Sequence, residues 1–198
     1  MDNSSRDAEY WQAIYDEGDL GWDKGVPAPP LVRAFSQSPL KPGGRVLVPG
    51  CGLGHEVFHL ARLGFQVTAV DFASGAIAAL NERIGELPIE ALQRDLFRLD
   101  QDYKTYFDAV LEHTCFCAIP VDMRDAYARV MHSVLANEGR LVGLFYETDK
   151  EDGPPFRTTR SDIEQHFSCL FEIESIEQPS DSFENRQGKE WLVKMIKR

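Results

Sequence analysis

The sequence predicts one α/β domain, in which a parallel sheet is covered by helices on both faces. The chain has 198 residues, which is enough for a single domain of ordinary size. Hydrophobic residues make up 43% and charged residues 27%, a balance typical of a globular protein. From residue 45 onward, short apolar runs alternate with helical patterns, which is the arrangement of strands joined by crossover helices.

Residues 1–44 are predicted to form an N-terminal cap outside the sheet. Residues 6–17 have the pattern of a short helix that carries two tyrosines, a tryptophan and an isoleucine. A glycine-rich turn around Trp22 follows, and Pro27, Pro29 and Pro30 interrupt any helix there. A short helical pattern resumes at residues 31–35, and residues 39–44 form a turn. The α/β core then takes up residues 45–198.

Seven apolar runs predict the strands of this core. They are residues 45–48, 65–70, 89–92, 107–111, 140–146, 171–176 and 191–196. Helices are expected after the first strand to about residue 63, at 74–84 with Ser74 as the N-cap, and at 122–135. A Ser-x-x-Glu capping box at Ser161 opens one more helix. Ligands of such sheets bind at the carboxyl ends of the strands.

Charge and composition exclude several kinds of partner. The chain has 32 acidic and 21 basic residues and a formal net charge of -11, which argues against nucleic-acid binding and against an anionic membrane surface. No apolar run approaches the roughly 18 residues of a transmembrane helix, and the N-terminus does not resemble a signal peptide. Four cysteines are too few for a disulfide scaffold. We therefore expect a cytoplasmic protein, and we expect it to be a monomer.

The most informative local pattern is a glycine-rich loop between the first strand and the next helix. It reads Pro-Gly-Cys-Gly-Leu-Gly at residues 49–54, and its glycines permit a sharp turn and a close approach by a ligand. Asp71 follows the second strand, where a carboxylate can accept both hydroxyls of a ribose. A turn without a ligand and a helix cap are the alternative interpretations.

The pattern also indicates which nucleotide is bound. His55 stands where a dinucleotide-binding loop has its third glycine, and no Gly-Lys-Ser/Thr sequence follows. The loop is therefore suited to an adenosine ligand without a pyrophosphate, such as S-adenosylmethionine. Asp95 and Leu96 follow the third strand, where an acid can bind the adenine amino group and an apolar side chain can pack on the ring.

A competing motif overlaps this loop. His55, Glu56 and His59 match the HExxH pattern, in which two histidines one helical turn apart share a zinc ion and the glutamate acts as a base. The helix emerges directly from the glycine loop, and no third ligand follows in a suitable pattern. We predict no metal site and keep a zinc hydrolase as an alternative.

Taken together, these motifs resemble the thiopurine methyltransferase-like family of class I S-adenosylmethionine-dependent methyltransferases. The closest resemblance is to its thiol, thiocyanate and halide methyltransferase branch, and it extends from Trp11 to the final strand. The segments that carry it are Trp11 with Tyr15, Gly21-Trp22-Asp23-Lys24-Gly25, the glycine loop through Glu56, Cys115-Phe116-Cys117-Ala118-Ile119, Met123-Arg124 and Arg186-Gln187-Gly188-Lys189-Glu190.

The resemblance implies a fold and a set of cofactor contacts. The fold is a Rossmann-like sheet of seven strands, mostly parallel with an antiparallel last strand, and the N-terminal cap closes over the cofactor. The cofactor is S-adenosylmethionine, and the product is S-adenosylhomocysteine. The implied cofactor-binding residues are Trp11, Tyr15, Trp22, Gly50, Gly52, Asp71, Asp95, Leu96 and His113. Tyr15 and His113 replace a tryptophan and a tyrosine of other members, and both changes keep a flat ring.

The same resemblance implies an S-methyltransferase for a small thiol or a similar soft nucleophile, acting by in-line displacement. We predict an acceptor pocket built from Trp11, Tyr15, His113, Phe116, Arg124 and Tyr146. Within it, Arg124 would attract an anion and Tyr146 would hydrogen-bond the attacking sulfur. The loop at residues 148–156 would cover the acceptor. An O- or N-methyltransferase for a small molecule, or a non-catalytic S-adenosylmethionine-binding protein, would also fit these motifs.

Overall fold

A seven-stranded sheet forms the centre of the protein. The computed structural model describes residues 8–18, 20–150 and 152–198. The strand order across the sheet is β3-β2-β1-β4-β5-β7-β6. The strands are β1 (Arg45–Pro49), β2 (Gln66–Asp71), β3 (Ile89–Gln93), β4 (Phe107–His113), β5 (Leu135–Tyr146), β6 (Phe171–Glu177) and β7 (Glu190–Lys197).

The strand directions agree with the sequence prediction. Strands β1 to β5 pair in parallel, whereas β7 lies between β5 and β6 and is antiparallel to both. The mostly parallel sheet with an antiparallel last strand is therefore confirmed. As a result, the carboxyl ends of β1 to β5 all meet at one edge of the sheet.

Helices cover both faces of the sheet, as the sequence predicts. They are α1 (Ala8–Glu17), α2 (Pro29–Ser36), α3 (His55–Arg62), α4 (Ser74–Asn81), α5 (Arg124–Val134) and α6 (Arg160–Phe167). Side chains alternate along β1, so that Val46 and Val48 pack in the core under α2, α3 and α4, while Leu47 packs in the core under α5 and α6. No helix in the described ranges is long and apolar enough to cross a membrane.

Several element boundaries differ from the sequence prediction. Helix α6 begins earlier, because Thr159 and not Ser161 is the N-cap and forms the capping box with Asp162. Ser74 is the first residue of α4 and not its cap, since its hydroxyl donates to Gln12 in α1. Strand β5 starts at Leu135, directly after α5, and is longer than the predicted strand at residues 140–146. Residues 6 and 7 of the predicted first helix lie outside the described residues.

A buried arginine holds the connection between β5 and α6. The Arg124 side chain, at the start of α5, is 1% exposed. Its Nη2 lies 3.3 Å from the carbonyl oxygen of Phe156, 3.0 Å from that of Arg157 and 3.1 Å from Oγ1 of Thr158. The guanidinium also lies over the ring of Phe116, 4.7 Å from its centre. One side chain thus satisfies three oxygen atoms of the loop.

We expect Arg124→Met to lower the free energy of unfolding by about 2–4 kcal/mol, because buried oxygens would lose their charged donor. Chemical denaturation measures the change. Arg129→Met is the matched control, since Arg129 is exposed on the same helix and its loss should stay within about 0.5 kcal/mol. Equal effects of the two substitutions would contradict this account of the loop.

Candidate active site

A cavity of about 820 Å³ lies at the carboxyl ends of the parallel strands. Its wall includes residues at or just beyond the ends of β1 (Gly50), β2 (Asp71), β3 (Asp95), β4 (His113) and β5 (Tyr146). Helix α1 and the turn around Trp22 contribute the opposite wall. The volume is within the range of about 300–1,000 Å³ that is common for small-molecule sites.

The glycine loop after β1 requires its glycines. Gly50 and Gly52 have φ values of +58° and +54°, in the left-handed region that L side chains rarely adopt. A Cβ at Gly50 would lie 2.8 Å from Sγ of Cys115, and a Cβ at Gly52 would lie 3.3 Å from Oη of Tyr15. The loop therefore passes close to the wall after β4 on one side and to the N-terminal cap on the other.

Asp71 braces this loop from the end of β2. Its Oδ2 accepts a hydrogen bond from the Gly52 N–H at 2.9 Å, and its Oδ1 accepts one from the Ala73 N–H at 3.0 Å. Burial raises the pKa of Asp71, and the hydrogen bonds from Ala73 and Gly52 offset part of the rise. Each carboxylate oxygen keeps a further lone pair that can accept from a ligand in the cavity.

The next acidic side chain along the sheet edge also faces the cavity. Oδ1 of Asp95 accepts a hydrogen bond from the Phe97 N–H at 2.9 Å, which caps the short helical turn that begins at Leu96. Asp95 and Leu96 both line the cavity. The Arg94 N–H donates to the carbonyl oxygen of Asp71, so the chain just beyond β3, which carries Asp95, lies against the end of β2.

Three aromatic rings of the cap close one side of the cavity. Trp22 packs edge-to-face against Trp11 and Tyr15, with ring centres 5.7 and 6.0 Å apart. Gln12 fastens α1 to α4, because its Oε1 accepts from Oγ of Ser74 at 2.8 Å and from the Gly75 N–H at 2.9 Å. The predicted aromatic cap residues are therefore together and line the cavity.

A buried cation lies at the end of the cavity beside Tyr146. Nη2 of Arg186 donates to the carbonyl oxygen of Trp22 at 2.9 Å, and Nη1 donates to Oε1 of Glu190 at 3.2 Å. The Arg186 guanidinium lies over the ring of Tyr146, 5.2 Å from its centre. Sequence reasoning did not select Arg186 as a site residue, although it begins the Arg186–Glu190 segment that carries the family resemblance.

Next to this arginine, Glu56 and His113 form a buried pair. Oε1 of Glu56 accepts from the Ala28 N–H at 2.9 Å and lies 3.0 Å from Nδ1 of His113. Burial alone would raise the pKa of Glu56, but His113 holds it at about 2. Burial alone would lower the pKa of His113, but Glu56 raises it above the ordinary histidine value. The second ring nitrogen, Nε2, lies 3.4 Å from Nη1 of Arg186.

The residues of the HExxH motif differ in their surroundings. Nε2 of His55 lies 2.7 Å from Oδ1 of Asp23 in the cap, while Glu56 pairs with His113. Nε2 of His59 is buried and forms no hydrogen bond with the described residues. Within the described ranges, no group of three or more histidine, cysteine or acidic side chains is placed to hold a metal ion. Two of the three motif residues, His55 and Glu56, are thus engaged with other side chains.

Two predicted acceptor residues, Phe116 and Arg124, do not line the cavity in the structure. Phe116 is fully buried and packs against Tyr127, Phe145 and Phe167. The chain turns after β4, so the helical turn Phe116–Ala118 directs this ring into the core. Arg124 is directed to the oxygens of the loop between β5 and α6. The buried cation at the cavity wall is Arg186 and not Arg124.

Comparisons with known proteins agree with this architecture. A family model for thiopurine S-methyltransferase matches residues 6–198. Thiocyanate methyltransferase 1 of Arabidopsis thaliana is 34% identical over 188 residues, which cover 92% of this chain and 82% of that protein. Thiopurine S-methyltransferase of Pseudomonas paraeruginosa is 27% identical over 187 residues, which cover 86% of each protein.

A solved structure extends the similarity to the fold. The 1,6-didemethyltoxoflavin-N1-methyltransferase of Burkholderia thailandensis, solved with S-adenosylhomocysteine bound, superposes with a TM-score of 0.75 at 21% identity. The match covers 96% of this chain and 86% of that one. Because the family model spans the sheet, the glycine loop and the Arg186–Glu190 segment, the chain belongs to the thiopurine S-methyltransferase family.

Proposed function

We propose that this protein transfers the methyl group of S-adenosylmethionine to the sulfur of a small thiol-type acceptor by in-line displacement. One observation carries the proposal: a single cavity joins the glycine loop after β1 and Asp71 at the end of β2 to a buried polar end at Arg186 and His113. The similarity to thiocyanate and thiopurine methyltransferases supports a soft, sulfur-type acceptor.

The residues of the cavity fit the cofactor. Gly50 and Gly52 keep the loop surface free of side chains, so a ligand can approach the backbone there. Asp71 would hold the ribose, and Asp95 with Leu96 would hold the adenine. Bound in this cradle, the cofactor supplies an electrophilic methyl group on a sulfonium. The full set that would hold it is Trp11, Tyr15, Trp22, Gly50, Gly52, Asp71, Asp95, Leu96 and His113.

At the other end, the protein positions the acceptor. Arg186 places a fixed positive charge beside the cavity, which attracts an anionic sulfur. Tyr146 carries a hydroxyl that donates a hydrogen bond to the acceptor, and Trp11 and Trp22 exclude water from that space. Holding the cofactor methyl group and the acceptor sulfur in line lowers the barrier by on the order of 7 kcal/mol in the most favourable case.

We also propose that the protein works as a monomer in the reducing cytoplasm and binds no nucleic acid. All four cysteines are free thiols, and three of them are buried, which suits a reducing compartment. The net charge of -11 disfavours a phosphate backbone as a partner.

Calorimetry with S-adenosylmethionine and S-adenosylhomocysteine, followed by an acceptor screen, tests the function. The screen pairs small thiols, thiocyanate and iodide with phenols and amines, and it measures S-adenosylhomocysteine formed. We expect binding of both cofactor forms and turnover with the sulfur acceptors or iodide. Turnover with phenols or amines alone would indicate an O- or N-methyltransferase. Binding without any turnover would indicate a non-catalytic binding protein.

We expect Asp71→Asn to weaken the binding of S-adenosylmethionine by on the order of tenfold to a hundredfold. Hydrogen bonds to a charged group are worth about 1.5–3 kcal/mol, and the substitution removes the charge that also braces Gly52. Titration calorimetry measures the loss. Asp108→Asn is the matched control, because Asp108 binds Arg45 near the start of β4, away from the cavity, and should leave affinity unchanged.

We expect Arg186→Gln to raise the KM for an anionic sulfur acceptor by about ten- to a hundredfold, because the buried charge beside the cavity is lost. The Kd for S-adenosylmethionine should change less, through the lost bond to Trp22 alone. Steady-state kinetics with each substrate varied in turn separates the two effects.

Lys189→Met provides the control for Arg186→Gln. Lys189 pairs with Asp149 at the surface and does not line the cavity, so its loss should leave both constants unchanged. An unchanged acceptor KM in Arg186→Gln would contradict the role assigned to this arginine.

A further inference from the structure

We propose that Glu56 and His113 form a carboxylate–imidazole dyad, in which Nε2 of His113 is the general base that takes the proton from the acceptor thiol. This inference rests on the proposed function and specifies its acceptor. Glu56, the glutamate of the HExxH motif, then serves the end of the cavity where the acceptor thiol binds.

The geometry gives the two imidazole nitrogens different roles. Nδ1 of His113 lies 3.0 Å from Oε1 of Glu56, which fixes the ring and leaves Nε2 to accept from Nη1 of Arg186, 3.4 Å away at the cavity wall. Both side chains are mostly buried, with 15% and 12% of their surfaces exposed. Glu56 is held in turn by the Ala28 N–H. A base oriented by a buried acid is the arrangement in which a histidine accepts a proton from a bound nucleophile.

Charged groups from four elements surround the imidazole. Glu56 in α3 and Glu190 in β7 favour the protonated ring, whereas Arg186, in the turn before β7, opposes it. Glu112, the preceding residue in β4, is buried and has a pKa raised to about 7, chiefly by burial. The balance raises the pKa of His113 from the ordinary histidine value. A higher pKa makes the unprotonated imidazole a stronger base.

The proton transfer is balanced by groups present in the site. The S–H bond of the acceptor breaks, its electron pair stays on sulfur, and the proton forms an N–H bond at Nε2. The N–H of Arg186 Nη1, which lies 3.4 Å from Nε2 before the acceptor binds, turns to the sulfur and stabilises the thiolate, while Glu56 stabilises the resulting imidazolium. The thiolate is the nucleophile of the proposed methyl transfer, and the proton leaves to water when the product departs.

The dyad has a consequence for substrate class. Thiocyanate and iodide are anions at neutral pH and have no proton to lose. A base is useful only for an acceptor that arrives protonated. We therefore infer that the preferred acceptor is a thiol whose pKa lies above the working pH.

A series of thiols with increasing pKa tests the base. We expect His113→Gln to lower kcat by on the order of 10²- to 10⁴-fold for thiols of high pKa, because the base is removed. The loss should shrink steadily for thiols that are more acidic and should be smallest for thiocyanate. A loss of the same size for every acceptor would overturn the proposal, since a merely structural histidine acts on all of them alike.

Two controls separate this result from other failures. His166→Gln removes a histidine that pairs with Asp125 outside the cavity, and it should leave the kinetics of all acceptors unchanged. Because His113 also belongs to the set that would hold the cofactor, calorimetry measures the Kd of His113→Gln for S-adenosylmethionine, and the thiol series is run with the cofactor saturating. If the wild-type protein methylates no acceptor, the proposed function fails. The titration of the His113 imidazole then decides whether the dyad exists.

We expect Glu56→Gln to lower the pKa of His113, because the negative charge that raises it is removed while an oxygen remains for the Ala28 N–H. A base works only when it is unprotonated, so the acid limb of kcat/KM should move to lower pH. Nitrogen-15 NMR of the histidine ring measures the same shift in the protein alone. An unchanged His113 titration in Glu56→Gln would overturn the dyad.

Discussion

The site depends on one buried carboxylate, that of Glu56. It lies in the first turn of α3 and accepts from the backbone of Ala28, the cap residue just before α2. It also pairs with His113 at the end of β4. Burying a charge is costly unless it is paired and hydrogen-bonded, so the three segments must keep this arrangement in the folded protein. A single ionised group thereby holds the cap and the end of β4 against the helix that follows the glycine loop.

The same principle explains how an acidic protein presents positive charge to a ligand. The net charge of -11 would repel anions from most of the surface. At the cavity, Arg186 is held by Glu190, and the two side chains are 7% and 0% exposed. Their local field acts across a short distance in a poorly hydrated space, where it is stronger than the screened field of the surface. Attraction of an anion is thus strongest at the cavity.

Features that depend on local pattern could be predicted from the sequence. Strand alternation, the glycine loop and the acid after β2 each follow from residues close together in the chain, and the cavity forms where they place it. Which arginine lies at the cavity wall could not be predicted in this way. Arg124 and Arg186 lie 62 positions apart, and each is fixed by oxygens from a distant segment. Arg124 donates to the loop at Phe156–Thr158, and Arg186 donates to the carbonyl oxygen of Trp22. The HExxH spacing was equally ambiguous, because the partners of His55 and Glu56 come from Asp23 and β4.

The most direct test of this account is a crystal structure of the protein with S-adenosylhomocysteine and a small thiol. The ribose hydroxyls should donate hydrogen bonds to Asp71, and the thiol sulfur should lie within hydrogen-bond reach of Nε2 of His113. Nδ1 of His113 should still be hydrogen-bonded to Glu56. Arg186 should also remain beside the sulfur. A thiol bound away from His113, or a His113 ring turned away from Glu56, would contradict the central claim that this buried pair builds the acceptor site.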